Sequence, residues 1–339
     1  MNITTIGIDI AKNIFQLHGI DKKGEVLLKK KISRSKLLEY MIQLKPCLVG
    51  IEACSGSNYW SRKFREMGHD VKQISPQFVK PYVKSNKNDE KDAEAICEAV
   101  TRPNMRFVPG KTIEQEDVQA IHRIRSRLIK ERTALVNQIR GLLGEYGIVI
   151  PQGVHNVRAL LPEILDNEEN ELSLLGRELF GNLCEELYNK YEKIDYYEKQ
   201  IERHCNRSET CKRLLKVKGV GPLIATAIES MIGDIKEFKN GRELSAYLGL
   251  VPKQYSSGNK QRLLGISKRG NKYLRSIIIH GARAVVSRID KIEYRKKEWI
   301  NGLIERMGIN RATVALANKN IRIMWAIITK GEEFNMKTL

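Results

Sequence analysis

The sequence predicts an α/β N-terminal domain at 1–108, a helical coiled-coil arm at 109–208 and a mainly α C-terminal domain at 209–330. Three observations carry this prediction. Short β-branched runs alternate with amphipathic stretches near the N-terminus, apolar residues recur every seven positions in the middle, and glycine-rich turns punctuate helical segments towards the end.

The first apolar run, Thr4 to Asp9, reads as a buried strand that closes on an acid. Ile14 to Ile20 alternates, Asp21 to Gly24 forms a hairpin turn, and Glu25 to Ile32 returns, which makes three antiparallel strands. A helix capped by Ser33 or Ser35 follows and stops at Pro46. Cys47 to Ile51 is another core strand, and it also ends in an acid, Glu52. A helix over Ser57 to Met67 and a short strand over Val71 to Ile74 come next, then a polar link carrying Lys80, Lys84 and Lys87. Beyond that link Asp89 and Asp92 stand at i and i+3 of a helix, on one face.

Three strands, a helix, a strand with an acid and an acidic helix follow one another in the order of the ribonuclease-H-like fold. Each acid has a structural reading, as a turn, a cap or a first helical turn favoured by the macrodipole. Together they have a chemical one. Four carboxylates drawn to one point repel each other unless a cation joins them, and hard Mg²⁺ prefers such ligands. Two divalent ions about 4 Å apart can activate an attacking oxygen and stabilise a leaving oxygen of a phosphodiester. Asp9, Glu52, Asp89 and Asp92 are therefore the candidate metal ligands.

Lys and Arg number 59 against 40 Asp and Glu, a net charge of +19, which favours a polyanionic partner, nucleic acid first. No apolar run reaches membrane-spanning length and no basic-plus-apolar leader follows Met1. The six cysteines form no C-x-x-C pair, so neither a zinc ribbon nor a disulfide framework is indicated. His204, Cys205 and Cys211 are of metal-ligating type but lack a fourth ligand. Reduced thiols in a cytoplasmic protein are expected.

From Ile113 to about Tyr146, Ile121, Leu128, Leu135 and Leu142 form a heptad seam, and Val118, Arg125, Arg132 and Ile139 form its complement. The arginines mark either a solvated face or a helix that follows a nucleic-acid backbone. Gly147 to Asn170 is expected to be irregular, with Pro151, Gly153 and Pro162 as breakers, before a second long helix from Leu172 to Arg207. Gly219-Val220-Gly221-Pro222 between two apolar stretches matches a helix-hairpin-helix, whose turn offers N–H groups to phosphate. Further on, Ser256-Ser257-Gly258 lies in a loop with Lys260, Lys268, Arg269 and Arg275 nearby. That loop is either a plain flexible turn or the seat of a phosphoryl-transfer nucleophile whose phosphate the cations neutralise.

The blocks Gly7-Ile8-Asp9-Ile10-Ala11-Lys12, Ile51 to Gly56, Lys87 to Ala93 and Gly249-Leu250-Val251-Pro252 through Ser257-Gly258 resemble the DEDD-type transposases of bacterial insertion sequences, the recombinases that use a bridge RNA. The similarity runs from Ile6 to about Ile328, although the family more often carries arginine near Asn318. The resemblance implies a RuvC-like N-terminal domain whose Asp9, Glu52, Asp89 and Asp92 bind Mg²⁺, with Mn²⁺ as the other option. It implies that Ser257, or Ser256 one position earlier, forms a phosphoserine link to DNA. It also implies homodimers or tetramers in which one subunit's acids serve another's serine, donor and target DNA, a bridge RNA, and a place at the bacterial nucleoid. Arg125, Arg132, Gly219, Gly221, Lys260, Lys268, Arg269 and Arg275 are the candidate nucleic-acid contacts. Two other functions compete with strand exchange: a RuvC-like endonuclease using activated water, and a nucleic-acid-binding protein without catalysis.

Overall fold

The computed structural model describes residues 2–83, 88–258 and 260–331, so Lys84, Lys87 and Asn259 fall outside the described residues. The chain divides into two compact units, Met1–Gln115 with Met231–Lys239, and Glu116–Ser230 with Asn240–Leu339.

The first unit is a mixed α/β domain. Strands β1 (Thr5–Asp9), β2 (Ile14–Ile20) and β3 (Val26–Ser33) form an antiparallel meander, followed by α1 (Arg34–Ile42). Then come β4 (Leu48–Glu52), α2 (Ser57–Glu66), β5 (Asp70–Ile74), the single turn α3 (Pro76–Val79), α4 (Asp89–Val100) and β6 (Phe107–Val108). The six strands lie in the order β3-β2-β1-β4-β5-β6, with β1, β4 and β5 mutually parallel. Central strands covered on both faces need apolar residues throughout. Accordingly Ile6 and Ile8 of β1 and Val49 and Ile51 of β4 are fully buried. On one side Phe15 meets Trp60 edge-on and Trp60 stacks on Phe64, with ring centroids 5.0 and 5.7 Å apart. Helix α4 covers the other side through Ala95, Ile96, Ala99 and Val100.

Gly7 sets how closely α4 approaches. A Cβ at this position would lie 2.2 Å from the Ala93 carbonyl oxygen and 2.4 Å from the Cys97 nitrogen, both backbone atoms that cannot swing aside. Gly7→Ala is expected to destabilise the protein by about 1–3 kcal/mol or more. A urea midpoint equal to that of the wild type would contradict this.

The segment Met231–Lys239 falls within the expected C-terminal domain by sequence yet packs with the first unit. There Gly233 adopts φ +80°, and its carbonyl accepts a hydrogen bond from Gln115 Nε2 at 3.4 Å.

The second unit is mainly helical. It holds α5 (Ile113–Gly144, whose first turn belongs to the first unit), α6 (Val154–Asp166), α7 (Leu174–Arg207), α8 (Glu209–Leu215), α9 (Pro222–Met231) and α10 (Gly241–Tyr247). The antiparallel hairpin of β7 (Pro252–Ser257) and β8 (Lys260–Ile266) follows, then α11 (Lys272–Val286), α12 (Lys297–Met307) and α13 (Ile309–Lys330). Helices α5 and α7 run antiparallel. Arg125 meets Glu198, Glu131 meets Lys190, and Tyr146 stacks edge-on to Phe180. Leu128 and Leu135 are buried as the seam requires, but Leu142 is 44% exposed. Val118 and Ile139 of the complementary seam are also buried, and beyond the seam burial passes to Val136 and Leu143, because a straight helix drifts by about 20° per heptad from a strict seven-residue stripe.

The stretch expected to be irregular contains a helix, α6, with Pro162 inside it. Pro162 has no N–H for the Arg158 carbonyl. Tyr188 Oη on α7 donates to that carbonyl at 3.5 Å, and Val157 and Leu161 bury one face of α6 against the arm, so packing outweighs the proline.

His122 ties α5 to the C-terminal helices. Thr226 spends its only hydroxyl proton on the Pro222 carbonyl at 2.7 Å, so His122 Nε2 donates to Thr226 Oγ1, while Nδ1 accepts from Tyr273 Oη, both at 3.0 Å. Burial first, then Arg125 and His204, push its pKa from 6.5 down to about 4. In that window the unfolded chain binds a proton that the native ring refuses. The stabilisation is thus complete above pH 6.5 and is lost as pH falls through about 4, an effect of about 3 kcal/mol. Urea titrations of wild type and His122→Gln across this range should differ in slope, and parallel curves would contradict the assignment.

Candidate active site

Strand pairing brings the first two acids together. β1 and β4 are parallel with Ile8 opposite Ile51, so Asp9 and Glu52, each one residue further on, leave neighbouring strands at the same sheet end and on the same side. Strand spacing puts their backbones about 4.8 Å apart. Cys54 sits beside both: its thiol is pushed up by burial and then by the carboxylates of Glu52 and Asp9.

The third and fourth acids come from the start of α4. Asn88 caps this helix by accepting from Lys91 N at 2.8 Å, which fixes Asp89 and Asp92 in its first turn, where the positive end of the helix favours acids. The close approach permitted at Gly7 then carries that turn over the end of β1. As a result, carboxylate oxygens of Asp9, Asp89 and Asp92 all lie within 4.8 Å of one another. Asp9 and Asp92 are partly buried and Asp89 is exposed, so the group faces a solvent-accessible edge, while Glu52, also partly buried, stands outside the group of three. Acids this close, with oxygen donors only, fit a hard divalent cation. Glu90 lies outside the cluster and pairs with Lys29 at 3.6 Å.

Ser257 is the last residue of β7, opposite Lys260, and Ser256 is opposite Gln261. Neighbouring residues of a strand face opposite ways, so the two hydroxyls lie on different faces of the ribbon. Ser256 Oγ receives Gln254 Nε2 at 3.0 Å. Both serines and Lys260 are exposed, and Gly258 turns the chain at φ +57°. The root of the ribbon, by contrast, is firmly held. Arg275 donates to the carbonyls of Leu248 and Arg269 at 3.2 and 2.6 Å, and Asn318 Nδ2 donates to the Leu250 carbonyl at 3.1 Å. An exposed tip on a fixed base can present a serine to a bulky polymer.

Several candidate nucleic-acid contacts have other partners. Arg275 is only 8% exposed and its Nη1 serves the two carbonyls just named, a use within the fold that the expectation of a phosphate contact did not include. Arg125 is bound through Nε to Glu198 at 3.0 Å, and Arg132 lies 5.0 Å above the Tyr191 ring, so both arginines belong to the contact between α5 and α7. Gly219 adopts φ +85° and presses on α11: a Cβ there would stand 2.6 Å from the Gly281 carbonyl oxygen. Gly221 has open space where a Cβ would be, and its carbonyl accepts from the N–H groups of Ile224 and Ala225 at the start of α9. Lys268 and Arg269 are exposed, as are Arg123 and Lys130 on the arm. The sequence marks Asn318 only as a place near which the family more often carries arginine, and its role at the root of the ribbon leaves a faint signal because one asparagine in a helix is most often a surface residue.

Among the described residues, no helix is long and apolar enough to cross a membrane. Residues 6–148 match the family model of DEDD transposases of the IS110 type, described as "Transposase", and residues 211–297 match the model described as "Transposase IS116/IS110/IS902 family". The chain is 48% identical over 333 residues to the transposase for insertion sequence element IS1111A of Coxiella burnetii, covering 98% of this chain and 92% of that protein. It is 46% identical over 331 residues to a probable family 20 transposase of Pseudomonas aeruginosa, covering 97% and 98%. To the transposase for insertion sequence element IS1328 of Yersinia enterocolitica it is 41% identical over 338 residues, covering 98% and 99%. Identity of 46–48% over nearly the whole chain, with one family model matching from the first strand through α5 and the other from α8 onward, means that this chain belongs to the IS110/IS116 family of DEDD insertion-sequence transposases.

Proposed function

We propose that this transposase, a DNA-processing enzyme by its family, cuts and rejoins DNA through a covalent phosphoserine at Ser257, with Asp9, Glu52, Asp89 and Asp92 holding Mg²⁺ or Mn²⁺. The observation that carries the reading is the convergence of the Asp9, Asp89 and Asp92 carboxylates within 4.8 Å. Bound there, a divalent ion supplies Lewis-acid stabilisation of charge on phosphodiester oxygens. The chain's own groups do the rest. The Ser257 oxygen forms a bond to phosphorus as the bond to one strand's sugar oxygen breaks. The serine proton leaves to solvent, and the departing oxygen gains one. Lys260, Lys268 and Arg269 offset the phosphate charge. A sugar hydroxyl of another strand then attacks the phosphoserine and restores the serine, so the energy of one phosphodiester is conserved throughout.

In this reading the N-terminal unit is RuvC-like, with the meander, parallel strands and acidic helix of the ribonuclease-H-like fold. The helix-turn-helix of α8 and α9 acts as a helix-hairpin-helix on the DNA backbone. The functional division is 1–108 for the acids, 109–208 for the arm and 209–330 for the serine domain. Donor ends and target are chosen by pairing to a bridge RNA, which the excess of 59 basic over 40 acidic residues helps to hold. The working form is a homodimer or tetramer at the nucleoid in the cytoplasm, with acids and serine supplied by different subunits.

The test uses the full-length chain, its RNA and labelled DNA carrying the element ends. Cleavage should require Mg²⁺, stop with a chelator, and fail in a double Ser256→Ala, Ser257→Ala variant. Cleavage that persists in the double variant would instead assign hydrolysis by activated water, and cleavage unaffected by chelation would remove the metal reading.

A further inference from the structure

Far along the chain from the acids, three helices meet around a second cluster of ligating side chains. α7 ends with His204 and Cys205, α8 brings Cys211, and α9 brings Glu229. His204 Nε2 lies 2.8 Å from Glu229 Oε2, and Cys211 Sγ lies 3.2 Å from the same oxygen. One ligand atom from each of His204, Cys211 and Glu229 falls within 4.8 Å of the others. The Cys205 and Cys211 thiols are hydrogen-bonded, and both cysteines are fully buried. Ser208 Oγ holds the other carboxylate oxygen, Oε1, at 2.5 Å and also caps α8 by accepting from Cys211 N at 3.1 Å.

We propose that His204 Nε2, Cys211 Sγ and Glu229 Oε2 bind a structural zinc ion, and that Cys205 Sγ, which lies outside this group of three but is hydrogen-bonded to Cys211, turns in to close the tetrahedron. The sequence shows His204, Cys205 and Cys211 but not the group that completes them, since Glu229 lies 18 residues from Cys211 and only the turn between α8 and α9 brings it back. Zinc bonds of about 2.0–2.3 Å to nitrogen, oxygen and sulfur set tetrahedral edges of roughly 3.3–3.8 Å. The observed 2.8 and 3.2 Å need only a slight expansion to reach that. Thiol sulfurs select against Mg²⁺ and Ca²⁺, so this site differs in kind from the oxygen-only cluster at Asp9. Without a cation, a carboxylate stands against a buried thiol, and the Cys211 pKa is pushed up by burial and then by Glu229. With zinc bound, both sulfurs are thiolates and their two protons pass to solvent. Ser208 then fixes the carboxylate from behind, as groups adjoining a metal's ligands commonly do. The ion would clamp the end of the arm to the two helices beyond it, a structural role independent of the phosphoserine chemistry.

The experiment uses full-length protein prepared without chelator or histidine tag. Elemental analysis is expected to find about one zinc per chain. After removal of zinc, Co²⁺ should produce sulfur-to-cobalt charge-transfer absorption, a signature that the acid cluster cannot give. Cys211→Ser should lower that absorption by about half or more and His204→Gln should weaken zinc binding at least about 10-fold, while Asp9→Asn leaves both unchanged. Wild-type protein that holds no zinc and shows no cobalt–thiolate absorption would overturn the proposal whatever the variants' folding. So would absorption undiminished in Cys211→Ser.

Discussion

Asp9→Asn is expected to slow DNA strand cleavage by about 10³-fold or more while the protein stays folded. The substitution keeps the shape of the side chain but removes one of the three charges that lie within 4.8 Å of one another, the one carried by the core strand β1. Lewis-acid stabilisation is worth several kcal/mol, and each 1.4 kcal/mol is roughly tenfold in rate. Relief of repulsion among the carboxylates should leave stability unchanged or slightly higher. Cleavage rates of labelled DNA, read beside the urea midpoint, separate the two effects. Wild-type rates in Asp9→Asn would show that the acids serve the fold alone.

Ser257→Ala carries the second large effect, a loss of cleavage of roughly 10⁴-fold or more, because removing a nucleophile removes the reaction path and not merely part of its stabilisation. Its neighbour provides the control. Ser256 points to the other face of the ribbon and engages Gln254, so Ser256→Ala should retain cleavage within about tenfold. Neither change should disturb folding, because both residues are exposed on a two-stranded ribbon whose root is held by Arg275 and Asn318. If Ser256→Ala were the inactive variant, the register of the nucleophile would shift by one residue.

Much of the first unit was legible in the sequence, for a physical reason. Strands buried on both faces leave continuous apolar runs, and an acid that interrupts such a run, as Asp9 and Glu52 do, stands out. The acids Asp89 and Asp92 at i and i+3 marked helix α4 equally clearly, while its cap at Asn88 came to light only in the structure. Less legible was whatever depended on a partner distant in sequence. Pro162 reads as a breaker until Tyr188 and the arm pack around its helix. Arg125 and Arg132 read as a face for phosphate until α7 brings Glu198 and Tyr191 against them. Arg275 follows the same logic, since a basic residue beside basic neighbours suggests an anion until two backbone carbonyls claim it. Charge can be counted from a sequence, but what each charge faces depends on the fold.

The most direct measurement of the central claim is to trap the covalent protein–DNA species under denaturing conditions, digest it, and identify by mass spectrometry the residue that carries the nucleotide. The account predicts a single phosphodiester link on Ser257, formed only with Mg²⁺ or Mn²⁺ present and absent from Asp9→Asn. A link on another residue, or complete cleavage with no protein-linked DNA, would contradict it.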